Sequence, residues 1–272
     1  MELSGQSQRW QGQRSAYSWE QSALEYIKAQ MPDAEPYRAW QTFTFTAASG
    51  HVREVDLLIA TPGGLFLVEI KSHPGTAANH GSTWMFRDAD KTRTIENPLH
   101  FTDQKAKELK TQLQKAATKL HVREPLPRIE AVVFLSAENL KCRLDEFQRQ
   151  RVYGRDNLAN STGLDGIWTS FLNEPPASER NRVTPTLSKQ LPKLMQEIGI
   201  ARRLGYRPPN PLAGGPPRDH ALGPPVAQRH RQKTHSAPGH HPRHHAMAGS
   251  SGLQCGYAST WRRAPSVLAM PR

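Results

Sequence analysis

Residues Arg53 to Ser72 read REVDLLIATPGGLFLVEIKS. Two apolar runs flank Thr61-Pro62-Gly63-Gly64, and turn residues set between such runs predict a β-hairpin. Charged residues are planted inside these runs. Asp56 sits within Val55-Asp56-Leu57-Leu58-Ile59, and Glu69 and Lys71 close the run Leu65-Phe66-Leu67-Val68-Glu69-Ile70-Lys71. Alternate residues of a strand share a face, so Glu69 and Lys71 point the same way and Ile70 points opposite. Twelve residues separate Asp56 from Glu69, a path short enough for the hairpin to bring both carboxylates together.

Charged groups are seldom buried without a partner. Two adjacent carboxylates repel unless a cation lies between them. Magnesium, or manganese, is the natural cation, because a hard ion takes oxygen ligands and commonly uses one or two carboxylates plus water and phosphate oxygens. A nearby lysine orients water and stabilises charge on a phosphate. An Asp followed by Glu-x-Lys therefore suits phosphodiester hydrolysis. Taken alone, Glu-x-Lys is also a common solvent-facing ion pair of little energetic value.

Working outward, Ser18 is placed to cap a helix over Trp19–Met31, ended by Pro32-Asp33. Trp40 to Thr46 alternates as a strand does. Trp84-Met85-Phe86 and Arg93-Thr94-Ile95 suggest a second hairpin across Asp88-Ala89-Asp90. A helix is expected to start between Pro98 and Asp103 and to end near Leu120, followed by a short buried strand over Ile129–Ser136. Phe147 and Leu191–Ile198 sit in weaker helical patterns. Strands and helices mixed in this order indicate an α/β or α+β domain around a central sheet.

The chain has 272 residues and a formal net charge of +12. From Arg207 to Arg272 nine basic residues face one acidic residue, Asp219, so net +8 of that charge lies in the tail. The tail also holds eleven of the 22 prolines and seven of the 12 histidines. Such a segment cannot bury enough apolar area to offset chain entropy. The sequence thus divides into a flexible N-terminus (1–14), a folded domain (15–200) and a disordered basic tail (201–272). No apolar run approaches the roughly 18 residues of a membrane span. The start lacks the apolar core of a secretory signal. Cys142 and Cys255 lie in unlike regions, which argues against a disulfide framework and for a reducing cytoplasm.

These residues carry a resemblance. Trp19-Glu20-Gln21-Ser22-Ala23-Leu24, Pro36-Tyr37-Arg38-Ala39-Trp40, Glu54-Val55-Asp56-Leu57-Leu58 and Gly64 through Lys71 resemble the nuclease-related (NERD) family of the PD-(D/E)XK nuclease superfamily. Pro74-Gly75, Thr83-Trp84, Asn97-Pro98, Gln104-Lys105-Ala106-Lys107 and Ile129–Ser136 fit as well, so the likeness spans about residues 15 to 160. The resemblance implies a restriction-endonuclease-like α/β fold, a mixed central sheet flanked by helices. It implies a magnesium-dependent nuclease acting on DNA, with Asp56, Glu69 and the Ile70 carbonyl as metal ligands. Lys71 would position or activate the attacking water. Glu20 matches a helical glutamate of the family and completes the acidic site, or is an ordinary first-turn glutamate stabilised by the helix dipole. Glu54 shares a strand face with Asp56 and is read as a ligand or as the exposed end of that strand.

Phe101, Lys105, Leu109, Leu113, Ala116 and Leu120 recur at helical spacing, which puts Lys105 on the sheet-facing side. Lys105 and Gln104 are therefore supporting candidates, with a snorkelling side chain as the alternative for Lys105. Many nucleases of this type cut duplexes as dimers, so a homodimer is an open expectation, although nothing in the sequence reports a dimer surface. The form is similar to that found ahead of bacterial serine/threonine kinases, some linked to phage defence. No G-x-G-x-x-G, H-R-D or D-F-G occurs here, so the kinase domain is absent from this chain. A truncated or frame-shifted tail is one account of that absence. The competing function is a non-catalytic nucleic-acid-binding or regulatory module.

Overall fold

The computed structural model describes residues 9–89 and 91–200. The tail over 201–272, residues 1–8 and Asp90 lie outside them, and so does every expectation placed on that tail.

The quoted stretch forms β3 (Val52–Thr61) and β4 (Gly64–Lys71), paired antiparallel with Thr61 opposite Gly64. Pro62 and Gly63 make the two-residue turn between them. A Cβ on Gly63 would lie 2.4 Å from the Glu174 carbonyl oxygen, so the close approach of that neighbouring loop requires glycine. Around the hairpin, β1 (Trp10–Gly12), β2 (Arg38–Thr46), β8 (Ile129–Leu135) and β10 (Val152–Tyr153) complete a six-stranded sheet ordered β1-β2-β3-β4-β8-β10. β2, β3 and β4 pair antiparallel, whereas β4 and β8 pair in parallel, so the sheet is mixed. β4 and β8 are almost wholly apolar because both faces of the sheet are covered.

One face carries α2 (Pro98–Lys119) and α3 (Pro185–Glu197), through Ala106, Leu109, Leu113, Leu187, Leu191 and Leu194. The other carries α1 (Ser18–Gln30), through Ala23, Leu24 and Ile27, together with Ile167, Trp168 and Leu172. Between β4 and α2 the chain makes β5 (Gly75–His80), β6 (Thr83–Asp88) and β7 (Lys91–Glu96). With β9 (Leu140–Arg143) these form a second sheet ordered β7-β6-β5-β9. Its buried Trp84 and Phe86 pack against Val133 and Leu135 of β8. The expected α/β architecture, a mixed central sheet with flanking helices, holds.

Several local expectations do not. Ser18 is the first residue of α1 rather than its cap; Tyr17 holds the cap position and no side chain closes it. Within the stretch read as a flexible N-terminus, Trp10–Gly12 form β1, and the Trp10 indole donates to Gln41 Oε1 at 2.5 Å. Phe101 is 48% exposed and not on the buried stripe of α2, which runs through Thr102, Ala106, Leu109, Leu113 and Ala116. Thr102, three residues before Lys105, takes the buried place with its hydroxyl toward Glu69, and Asn97 caps the helix by accepting from the Leu99 N–H at 2.8 Å. Phe147 lies in a turn, 74% exposed, not in a helix.

Candidate active site

The β3–β4 ladder ends at Leu57 opposite Val68. One step further the same register sets Asp56 across from Glu69. Asp56 Oδ2 there accepts the Ile70 N–H at 2.7 Å, taking the place of a ladder bond.

A second irregularity falls at the same position. Val55 and Leu58 both pack in the layer under α2, while Leu57 and Ile59 pack toward α1. Residues three apart on a regular strand face opposite sides, so the alternation of β3 slips by one at Asp56. β2 slips with it, since Trp40 and Phe43 share the α2 layer. The pairs Gln41–Leu57 and Phe43–Val55 bracket the fault, and Thr42 occupies it with φ of 43°. That left-handed conformation is costly for a β-branched residue. Thr42 Oγ1 is buried and has no hydrogen-bond partner. Backbone strain is thus stored next to Asp56.

Glu69 is 9% exposed and clamped from two sides. Lys71, two residues on along β4, donates to Oε1 at 2.8 Å, and Lys105 of α2 donates to Oε2 at 2.8 Å. The Thr102 hydroxyl lies 3.4 Å from Oε2. Glu20, also 9% exposed, enters from the first turn of α1 on the opposite face. The sheet end is therefore where the two helical layers meet.

Electrostatics follow from this crowding. Burial, then the charges of Glu69 and Glu20, push the Asp56 carboxyl well above the ordinary range. Burial pushes Glu20 up as well, with Glu54 and Glu69 adding to it and Lys71 opposing. Burial acts in the same direction on Glu69, but Lys71 and Lys105 together outweigh it and hold Glu69 below its usual range. Burial disfavours the Lys71 ammonium, yet Glu69 and Asp56 outweigh that and raise its proton affinity. Asp56 is thus the carboxyl of the pair that takes up a proton, and Glu69 stays ionised.

The structure brings Asp56, Glu69, Lys71, Glu20 and Lys105 together, with the Ile70 backbone bound to Asp56. It leaves Glu54 exposed on β3 opposite Thr44, near enough to act on Glu20 by charge. Gln104 is exposed and donates to Glu108 at 3.2 Å, outside the carboxylate group. Sequence reasoning missed Thr102 and Thr42. Thr102 was readable as the residue one turn before Lys105 on the same helical face; nothing in the sequence marks the fault at Thr42.

The donor set is all oxygen and suits a hard divalent cation. Asp56 Oδ1, the Glu69 carboxylate and the Ile70 carbonyl would be its ligands. Among the described residues no group of three or more His, Cys, Asp and Glu is arranged to hold a metal. A two-carboxylate site completed by a carbonyl, water and substrate phosphate is consistent with that.

Comparison with known families bears on this geometry. Residues 15–136 match the nuclease-related domain family, NERD. The recognition of a nuclease-related domain, drawn from the stretches between Trp19 and Ser136, holds. Over 190 residues, 69% of the chain, the sequence is 38% identical to "Probable kinase PglW" of Streptomyces coelicolor. The chain spans 11% of that relative's length. No solved structure matches the chain at a significant level. The NERD match takes in α1, the β3–β4 hairpin and α2, and so every residue of the carboxylate–lysine group. Among the described residues no helix is long and apolar enough to cross a membrane.

Proposed function

We propose that this chain is a metal-dependent nuclease that hydrolyses DNA phosphodiester bonds, in phage defence or DNA processing. One observation carries the reading: Asp56 and Glu69 lie side by side at the end of the β3–β4 ladder with Lys71 bonded to Glu69, and Glu20 of α1 is near enough to act on Asp56 by charge. Acidic groups forced together at such cost indicate a cation site.

Magnesium or manganese would be held by Asp56, Glu69 and the Ile70 carbonyl. When bound, it supplies Lewis acidity toward the scissile phosphate and acidifies a water. Asp56 would have to be ionised to hold the cation, so metal affinity would rise with pH. Lys71 remains an ammonium at neutral pH, because its carboxylate neighbours raise its proton affinity. It therefore serves as a fixed positive charge that orients water and steadies charge developing on a phosphate oxygen, not as a general base. Glu20 adds an acceptor from α1, and Lys105 holds Glu69 in place.

A second reading is a non-catalytic nucleic-acid-binding or regulatory module. It is favoured by the two lysines that already neutralise both Glu69 oxygens. The Streptomyces relative's name, a probable kinase, is compatible with it. The test is to incubate the full chain with linear, circular and single-stranded DNA, in magnesium and in chelator. Cleavage that needs metal and is lost in Asp56→Ala, Glu69→Ala and Lys71→Ala supports the nuclease. Equal cleavage by wild type and Glu69→Ala points to a contaminant, and binding without cleavage supports the module.

A further inference from the structure

Two exposed aromatic pairs flank the carboxylates, and the chemistry above uses neither. Tyr17 and Trp19 open α1 immediately before Glu20. Their rings stack at 5.3 Å between centroids and 22° between planes, with 47% and 46% of their surfaces open to solvent. On α2, His100 and the half-exposed Phe101 lie edge to face at 5.8 Å, just before Thr102 and Lys105. Glu20 and Thr102 both reach the Glu69 neighbourhood, so each aromatic pair sits next to a residue of the site. Exposed stacked rings gain nothing from the core, and each leaves a large apolar face in water.

Arg155, its side chain 12% exposed and its Nη1 3.7 Å from Glu138, links the α1 side of the site to the end of β4. Ser22 is one helical turn beyond Trp19, and Arg155 Nη2 donates to its hydroxyl at 3.4 Å. The Arg155 guanidinium also covers the Tyr26 ring at 4.7 Å and donates through Nε to the Ser136 carbonyl at 2.8 Å. The Ser136 N–H in turn binds the Lys71 carbonyl at 2.9 Å, which ties this arginine to the end of β4. An exposed aromatic face next to the carboxylate–lysine group suits a nucleic-acid strand whose bases are unpaired, because bases stack on such rings. In a duplex the bases are stacked inside and cannot reach such rings.

We propose that Tyr17 and Trp19 form a stacking platform for unpaired bases, so that the site acts on DNA that is single-stranded at or beside the bond it cuts. The proposal rests on the nuclease reading for the cutting and on the platform alone for the binding.

Binding is therefore measured first, in chelator, by fluorescence anisotropy of a labelled 20-mer of thymidylate and of a 20-base-pair duplex. Moderate salt, about 0.2 M, suppresses charge-driven binding by the basic tail. Trp19→Ala and Tyr17→Ala should each weaken the single strand about tenfold or more and the duplex less than twofold, and Trp19→Phe should restore most of the loss. A thermal melt matching wild type shows that the variants fold, as their exposure predicts. Unchanged single-strand affinity in Trp19→Ala overturns the platform and leaves these rings to another partner, such as a protein; equal loss on both DNAs overturns it as well, because the contact is then not with unpaired bases. Cleavage in magnesium is scored separately. If wild type binds the 20-mer through Trp19 but does not cut it, the platform stands and the nuclease reading falls. If Trp19→Ala binds and cuts like wild type while Asp56→Ala does not cut, the reverse holds.

Discussion

Lys105 of α2 donates to Glu69 of β4 at 2.8 Å across 36 residues of sequence, on the oxygen that Lys71 leaves free. The bond joins a helix to the sheet end it covers, and both partners are largely buried. Lys105→Met keeps the aliphatic stem and removes the charge. Glu69 then retains one cation in place of two. The variant should lose about 1–3 kcal/mol of stability at neutral pH, read from urea denaturation. Loss of under a few tenths would mean that the pair is no stronger than a surface contact.

The protonation of Asp56 has a sign that can be tested in metal-free protein. Its folded-state proton affinity is raised above the ordinary value of 3.8. Between the unfolded and folded values the native state binds more protons than the unfolded state. Stability contributed by the neutral carboxyl is thus full at low pH and is lost as pH rises through that window. Asp56→Asn removes the ionisation and keeps an acceptor for the Ile70 N–H. In chelator it should melt higher than wild type at pH 7–8, by the equivalent of about 1–2 kcal/mol, and the gap should close toward pH 4. A gap that widens on acidification refutes the assignment.

Thr42 and Thr44 lie two apart on β2 and should respond oppositely to glycine. Thr44 is exposed in regular pairing with Glu54, so Thr44→Gly should cost about 1 kcal/mol. Thr42 holds φ of 43°, where glycine is unstrained. Relief of about 1–3 kcal/mol of strain offsets the entropy glycine adds to the unfolded chain. Thr42→Gly should therefore leave stability unchanged or raise it. Chemical denaturation of the two variants side by side decides the point.

Asp156 anchors the α1 layer. It accepts from the Thr169 N–H at 2.6 Å, the Thr169 hydroxyl at 2.7 Å, the Tyr26 hydroxyl at 2.9 Å and the Trp168 N–H at 3.3 Å. Burial acts to raise its carboxyl, but these donors outweigh burial and hold it below 3.8. Its contribution is present above the unfolded value and is lost as pH falls through the folded one. Asp156→Ala should cost about 2–4 kcal/mol at pH 7 and less near pH 3, measured by thermal melts across that range.

How much of this was readable without coordinates varied with the range of the interaction. The β3–β4 hairpin was readable because its turn chemistry and both apolar runs lie within twenty consecutive residues. Lys105 was readable because the 3.6-residue period of α2 is long and regular. Phe101 broke that same period at its first turn, where Thr102 takes the buried place. β1, β5, β9 and β10 were missed, since two to six residues carry little periodicity and their pairing is decided by distant partners. The slip at Thr42 and Asp56 was invisible for another reason. It is cooperative between two strands, and neither strand's composition records it.

The convergence of two helical layers at one sheet end also bears on the newly made chain. Glu20 is synthesised early, the hairpin acids later and Lys105 later still. At a bacterial or eukaryotic ribosome that interval is on the order of ten seconds. Until α2 emerges and docks, Glu69 lacks one of its two cations, so the acids of the sheet end are made well before the lysine that completes their pairing.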